Sequence, residues 1–374
     1  MILWVKEFEN ILTTNTILML VKDSIPVKPF VTADFVQQDD LVIISQHDTV
    51  SELTALPFTF LVYETALEKI SNNIIQEYYY NHDYYYLNIA LAEAKNPRIH
   101  SIISGSSYGL FGIDENLLSQ EVNLSLPSQD LFYSLKGIYE VCNANSNIKN
   151  IVLCCNYYYF YTDLSKTQNQ KELLRISKVY EPLYHDIHNC LFLPPKADLL
   201  FHSNIFHLQN IVDAYSISEY QKHYFHSGRP RKMKATKEWS DKSKDWTQLN
   251  ESERQDAGLR RAASHNKAQK YNLTLAENTS YFNELTLFCV ERNINLLVVV
   301  TPASQYYRSN LYSGYKNSFY DVLANAPGIV HLLDLFEDEN YLTEDFNDPD
   351  HLSDSGALKM TSAILNMLQE INHI

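Results

Sequence analysis

The sequence predicts an α/β fold organised on a parallel sheet. Two observations carry that expectation. From about residue 98 onward, apolar segments of strand length alternate with segments of helical periodicity. The strand segments are continuous Val/Ile/Leu runs rather than alternating patterns, as expected where helices cover both faces of a sheet.

The expected strands lie at 99–104, 121–124, 148–155, 295–301 and 329–333. The expected helices lie at about 128–144, 169–190, 270–292, 315–325 and 354–371. Ahead of this alternation, residues 1–48 read as short strands. The clearest is Leu41-Val42-Ile43-Ile44, bounded by Asp39-Asp40 and by Gln46-His47-Asp48. Residues 50–95 read as mainly helical, because Leu61, Val62, Leu67, Ile70, Ile74 and Ile75 recur at helix-like spacing. A tyrosine tract at 78–86 falls inside this region. The organisation expected is therefore an N-terminal region over 1–95 and an α/β domain over 96–374.

Residues 222–260 interrupt the alternation. Arg229, Arg231, Lys232, Lys234, Lys237, Lys242 and Lys244 form the dense basic cluster of an otherwise acidic chain. Two readings stand side by side: a solvated loop, or a lid that attracts an anionic substrate.

The bulk numbers exclude some classes. A 374-residue chain with 45% hydrophobic and 13% aromatic residues can bury a sizeable core. The net charge of −15 lacks the basic footprint of a nucleic-acid binder. Five cysteines in a chain of this length do not read as a disulfide framework. The N-terminus carries acids where a signal peptide has its apolar stretch, and the apolar segment 11–21 is too short to span a bilayer. A cytoplasmic protein with no integral membrane segment is expected. The 27 tyrosines supply amphipathic surface suited to carbohydrate, or else serve as core filler.

The chemistry concentrates in two segments. Three of the 9 glycines fall between Gly105 and Gly112, in a turn that follows the first α/β strand. Within it, Gly105-Ser106-Ser107 places a serine at a strand end. Ser107 is the expected nucleophile and Ser106 its competitor. The second segment is Asp348-Pro349-Asp350-His351. A carboxylate three positions before a histidine can turn back to hold one ring nitrogen, leaving the other to take a serine proton. Asp348 is better placed for this than Asp350, which is adjacent to the histidine. The alternative is that these acids only satisfy backbone amides ahead of a helix. His185 and His188 lie three apart on an expected helix, without a third ligand to make a metal site. His265 is expected to head the helix before the fourth sheet strand, near the pocket.

These two blocks, in this order, resemble the SGNH (GDSL-type) hydrolases. The Leu352-Ser353-x-x-Gly356-Ala357 that follows is similar to members that modify cell-surface polysaccharides. The resemblance covers roughly residues 98–374. It implies a three-layer flavodoxin-like sheet and acyl transfer by Ser107, His351 and Asp348. It further implies an oxyanion and substrate-binding set made of the Ser107 amide, the Ser128 amide, Asn156 and Gly105. In the family a glycine follows the second strand, where this chain has Asn123-Leu124-Ser125-Leu126-Pro127-Ser128 without one, and a Gly-x-Asn-Asp block stands where this chain has Cys154-Cys155-Asn156-Tyr157. The activity implied is ester hydrolysis on O-acyl, and above all O-acetyl, groups of a carbohydrate, with no metal or resident cofactor. The alternatives are an O-acyltransferase using acetyl-CoA as co-substrate, and a degenerate module that binds glycan without turnover. Arg229, Arg231, Lys232 and His265 are the expected further substrate contacts.

Overall fold

The computed structural model describes residues 2–5, 27–37, 40–44, 59–62, 82–192 and 245–373. The described residues form two compact units, one within Met1–Tyr85 and the other from Tyr86 onward. Arg229, Arg231, Lys232 and most of the basic cluster's segment lie outside the described residues, as does the tyrosine tract up to residue 81.

The first unit holds four short strands: β1 (Leu3–Val5), β2 (Val27–Pro29), β3 (Leu41–Ile44) and β4 (Thr59–Val62). They pair in parallel in the order β2-β1-β3-β4. Buried Asp40 stitches the start of this sheet. One of its oxygens accepts from the Ile2 amide at 2.6 Å, the other from Trp4 Nε1 at 2.9 Å and the Gln37 amide at 3.0 Å. The expectation that 50–95 is mainly helical is corrected at Thr59–Val62. Thr59–Val62 pairs with β3, Leu41 opposite Thr59 and Ile44 opposite Val62. Its Thr-Phe-Leu-Val composition suits a pleated surface, and a waiting ladder outweighs helical spacing. Within that span the described helix is α1 (His82–Ala94). Tyr86, from the end of the tyrosine tract, is buried and donates its hydroxyl to the Asn123 carbonyl at 2.5 Å.

The second unit is α/β. Its strands are β5 (Ser101–Gly105), β6 (Glu121–Asn123), β7 (Asn150–Cys155), β8 (Asn295–Val300) and β9 (His331–Asp334). All four pairings are parallel, in the order β6-β5-β7-β8-β9. Each expected strand is present with its ends moved by a residue or two. The helices are α2 (Ser107–Gly112), α3 (Leu131–Ala144), α4 (Gln170–Arg175), α5 (Glu181–Tyr184), α6 (Glu251–His265), α7 (Asn272–Arg292), α8 (Gln305–Arg308), α9 (Gly314–Ala324) and α10 (Asp354–Asn372). A single π turn, Ile176–Tyr180, joins α4 to α5. Among the described residues no helix is long and apolar enough to cross a membrane.

The core follows from strand alternation. Ile103, Val152, Cys154, Leu297 and Val299 share one face and pack against Met360, Ile364, Leu368 and Ile371 of α10. The intervening Ile102, Ile151, Leu153, Leu296 and Val298 are fully buried, so the opposite face is covered too. There α3 packs against α7, with α3 on β5 and α7 on β8. Helices on both sides make the arrangement compatible with a three-layer fold. Burying each aliphatic side chain contributes about 1.5–3 kcal/mol. All five cysteines are buried and unpaired.

Helix α6 corrects the expected basic insertion. Residues 251–265 are helical rather than loop, opened by a reciprocal cap in which Asn250 Oδ1 accepts from the Glu253 amide at 3.0 Å and the Glu253 carboxylate accepts from the Asn250 amide at 2.8 Å. Only Gly258 and Ala262 of this helix are buried, so its apolar stripe is too thin to announce it. A Cβ on Gly258 would lie 2.2 Å from the Tyr306 carbonyl oxygen, which shows how closely α6 lies on α8.

Strand order 2-1-3-4-5 makes β5 the strand from which the chain first turns one way and then the other, so a crevice opens at its carboxyl end. Gly105 closes that strand at φ 149°, and a Cβ there would sit 2.0 Å from the Cys154 carbonyl oxygen. Gly105→Ala is therefore expected to lower stability by about 2–5 kcal/mol. The urea midpoint measures this; an unchanged midpoint would contradict the packing described.

Candidate active site

Three loops, together with the exit of β7, bring the site together at the carboxyl edge of the second sheet. The first is the turn after β5. Ser106 is the N-cap of α2, its hydroxyl accepting from the Tyr108 amide at 3.5 Å. Ser106 is buried, whereas Ser107 is half-buried at the edge of a cavity of about 440 Å³. Capping thus occupies Ser106 and presents Ser107. As the first residue of a helix, Ser107 has an amide with no intrahelical acceptor.

The second loop follows β6. The chain keeps pairing with β5 beyond the strand, the Leu124 amide donating to the Ile103 carbonyl at 2.7 Å and the Leu126 amide to the Gly105 carbonyl at 3.3 Å. That carries Ser128 to the same cavity. Ser128 has φ 56°, in the left-handed region that favours glycine. Its neighbours hold it there. Buried Gln129 donates to Ser104 Oγ and Ser134 Oγ at 3.1 Å and accepts from the Tyr180 hydroxyl at 3.2 Å. Asp130 accepts from the Tyr133 amide at 3.0 Å and the Leu164 amide at 2.7 Å.

Asn156, just after β7, lines the cavity from the other side of β5 and is 1% exposed. Neither its Oδ1 nor its Nδ2 has a hydrogen-bond partner among the described residues. A buried amide left unmatched costs about 1–3 kcal/mol, so such a group in a cavity wall reads as one aimed at a ligand.

The third loop carries His351. Its Nε2 lies 2.9 Å from Ser107 Oγ, and its Nδ1 lies 2.8 Å from Asp348 Oδ2. Since a carboxylate only accepts, Nδ1 carries the proton and Nε2 is left to accept from the serine. Asp348 Oδ1 accepts from the Asp350 amide at 2.9 Å and the His351 amide at 2.8 Å. The backbone role and the orienting role of Asp348 are both filled, one by each oxygen. The imidazole is stacked on Tyr108 at 5.3 Å and met edge-on by Phe111 at 5.2 Å.

A second carboxylate lies behind this ring. Asp350 Oδ1 is 3.7 Å from His351 Nδ1 and 2.8 Å from Arg261 Nε, and Asp350 Oδ2 accepts from the Tyr108 hydroxyl at 2.6 Å. Burial would raise the Asp350 carboxyl, but Arg261, and after it His351, hold it well below the usual range. A chain of donors ends on it. Tyr158 OH is 2.9 Å from Tyr108 OH, His265 Nε2 is 3.3 Å from Tyr158 OH, and Tyr307 OH is 2.7 Å from His265 Nδ1. With a carboxylate at one end, every proton points toward Asp350. Burial pushes His265 down to about 3, so it is neutral and relays hydrogen bonds rather than charge. Burial also pulls His351 down, but Asp348 and Asp350 outweigh it and hold its pKa above the ordinary value.

Of the residues expected from sequence, Ser107 and Asn156 line one cavity with Ser128 and His265, while His351 and Asp348 complete a relay with Ser107. Gly105 does not line that cavity; its part is the backbone geometry beneath the turn. His265 ends α6 rather than heading α7, because the chain breaks into a 3-10 turn at Asn266–Lys270 before α7 begins. His185 and His188 both take left-handed backbone after α5. His188 stacks on Phe132 at 3.9 Å and faces Asp163 at 3.4 Å. Asp130, Asp163 and His188 are close enough to share an ion. Their oxygens already serve backbone amides and Lys166, so the cluster reads as a capping junction. In the Asp348/Asp350/His351 group the carboxylate oxygens are likewise occupied. Arg261, Tyr108 and Tyr158 were not identified from sequence, where Asp350 stands only as the poorer orienting acid. The Arg261/His265 spacing of four residues was the available signal, once α6 is read as a helix.

No protein-family model matches the chain, and no curated protein matches it.

The second carboxylate has a measurable consequence. His351 must be neutral to accept the serine proton, so reaction of Ser107 with a fluorophosphonate should rise as pH passes the His351 pKa. Asp350→Asn removes one of the two charges holding that pKa up and leaves Arg261 uncompensated, and both effects lower it. The acid limb of the labelling rate should move down by about one pH unit. An unmoved limb with slower labelling throughout would reduce Asp350 to a packing role.

Proposed function

We propose that this chain is a serine ester hydrolase of the SGNH kind, acting on O-acyl groups of a carbohydrate. The observation that carries the reading is His351, set between Ser107 Oγ at 2.9 Å and Asp348 Oδ2 at 2.8 Å. The strand order, with Ser107 after the first strand of the α/β unit and His351 near the C-terminus, supports the family reading. So does Ser128, whose backbone takes a glycine-like conformation within the stretch where that family has a glycine.

In the proposed reaction Ser107 Oγ attacks the ester carbonyl while His351 Nε2 takes its proton. Asp348 holds the ring and stabilises the imidazolium. The oxyanion is met by the Ser107 and Ser128 amides and by Asn156 Nδ2. His351 then protonates the leaving sugar oxygen, and a water activated by the same ring releases the acid. The cavity wall contains Tyr158, Tyr159, Tyr161 and Tyr271, amphipathic surface that suits the flat faces of sugars. No step calls for a metal or a resident cofactor.

Hydrolysis of p-nitrophenyl acetate tests the chemistry. Ser107→Ala is expected to lower kcat by about a thousandfold or more. Asn156→Ala should lower kcat by about a hundredfold with little change in KM, because its amide acts on charge that develops only in the transition state. Turnover that survives Ser107→Ala would refute the reading. Consumption of acetyl-CoA only when a glycan acceptor is present would recast the same residues as an O-acyltransferase.

A further inference from the structure

We infer that Arg261 is a substrate-binding residue and that the substrate presents a carboxylate to it, as a sugar acid does. The inference rests on the ester-hydrolase reading of the same cavity and deepens it.

Arg261 is anchored at one edge. Its Nε donates to Asp350 Oδ1 at 2.8 Å, and Asp350 is itself fixed by the Tyr108 hydroxyl at 2.6 Å. The side chain is 37% exposed, and Arg261 lines the cavity that holds Ser107. A guanidinium has five N–H donors. Among the described residues Nη1 and Nη2 have no acceptor. A cation tied from behind by a buried carboxylate cannot swing away, so its outer N–H pair is preorganised.

The surroundings favour an anion over a neutral partner. Ser264, His265 and Ala268 follow Arg261 into the cavity wall at helical spacing, and His265 is neutral. Lys267 lines the same wall and has no acidic partner among the described residues. Of the acids there, Asp163 is matched by Lys166 at 2.8 Å, and Glu172 accepts from Thr167 Oγ1 at 2.8 Å. Among the described residues of the cavity wall, the cationic groups with unused donors are the outer edge of Arg261 and Lys267, while Glu172 is the acid whose named partner is a neutral hydroxyl. A planar pair of N–H donors fits the two oxygens of a carboxylate. With a carbohydrate substrate, that carboxylate belongs to the sugar, near the acylated hydroxyl.

The test compares O-acetylated glucuronic acid with its uncharged methyl ester on the full chain. The wild type should favour the acid by about tenfold or more in kcat/KM, chiefly through KM. Arg261→Lys keeps a charge for Asp350 but loses the fork, and it should raise KM for the acid more than KM for the methyl ester, any change in kcat being shared by both. Arg261→Gln should abolish the preference. Equal use of both substrates, or equal losses on both in Arg261→Lys, would overturn the inference and leave the ester-hydrolase reading standing. Preference for a sugar phosphate over the acid would also overturn it. If neither ester is hydrolysed, glucuronate is titrated into Ser107→Ala protein. Saturable binding lost in the Ser107→Ala/Arg261→Lys double variant supports the inference without turnover, and absence of binding overturns it.

Discussion

The site depends on one buried carboxylate. Asp350 is 1% exposed, and a charge so shielded must be matched by donors. Its partners come from separate parts of the chain: Arg261 of α6, the Tyr108 hydroxyl of α2, and the ring of His351 beside it. The same group therefore fixes the Tyr108 ring on which His351 stacks and the helix that walls the cavity. Removing Arg261 would strand the charge, a change that typically costs about 3–5 kcal/mol. The histidine is thereby placed by long-range ties as well as by the short Asp348 turn.

The parallel sheet supplies the rest. Strands that run the same way put all their exits on one edge, and the 2-1-3-4-5 order opens that edge on both sides of β5. Ser107, Ser128 and Asn156 leave from three adjacent strands, so the proposed nucleophile has a candidate oxyanion donor on either hand. Gly105 lets β5 pass against Cys154 with no side chain between them, and the serine turn starts from there. Backbone geometry that would be strained elsewhere, such as the left-handed Ser128, is held by Gln129 and Asp130.

Much of this was legible in the sequence. Continuous apolar runs marked the five strands because a strand covered on both faces has no polar side to break the pattern. The serine turn and the Asp-x-x-His segment stood out because their chemistry is local: a strand end, and a side chain reaching three residues along. What could not be read depends on tertiary contacts. Asp350 looks redundant beside His351 until Arg261 arrives from 89 residues away. Helix α6 hid because only Gly258 and Ala262 are buried along it. The strand Thr59–Val62 sits among residues spaced like a helix, and only its pairing with β3 decides the matter. Nothing in Ser128 itself signals a left-handed backbone, because the restraint comes from Gln129, tied to Ser104 and Tyr180, rather than from its own side chain.

The central claim is that Ser107 is acylated during turnover. Wild-type protein mixed with p-nitrophenyl acetate and quenched in acid would be digested and its peptides mapped by mass. An acetyl group on Ser107, absent in His351→Ala, is the predicted result. Turnover with acetyl on another residue, or on none, would contradict the account.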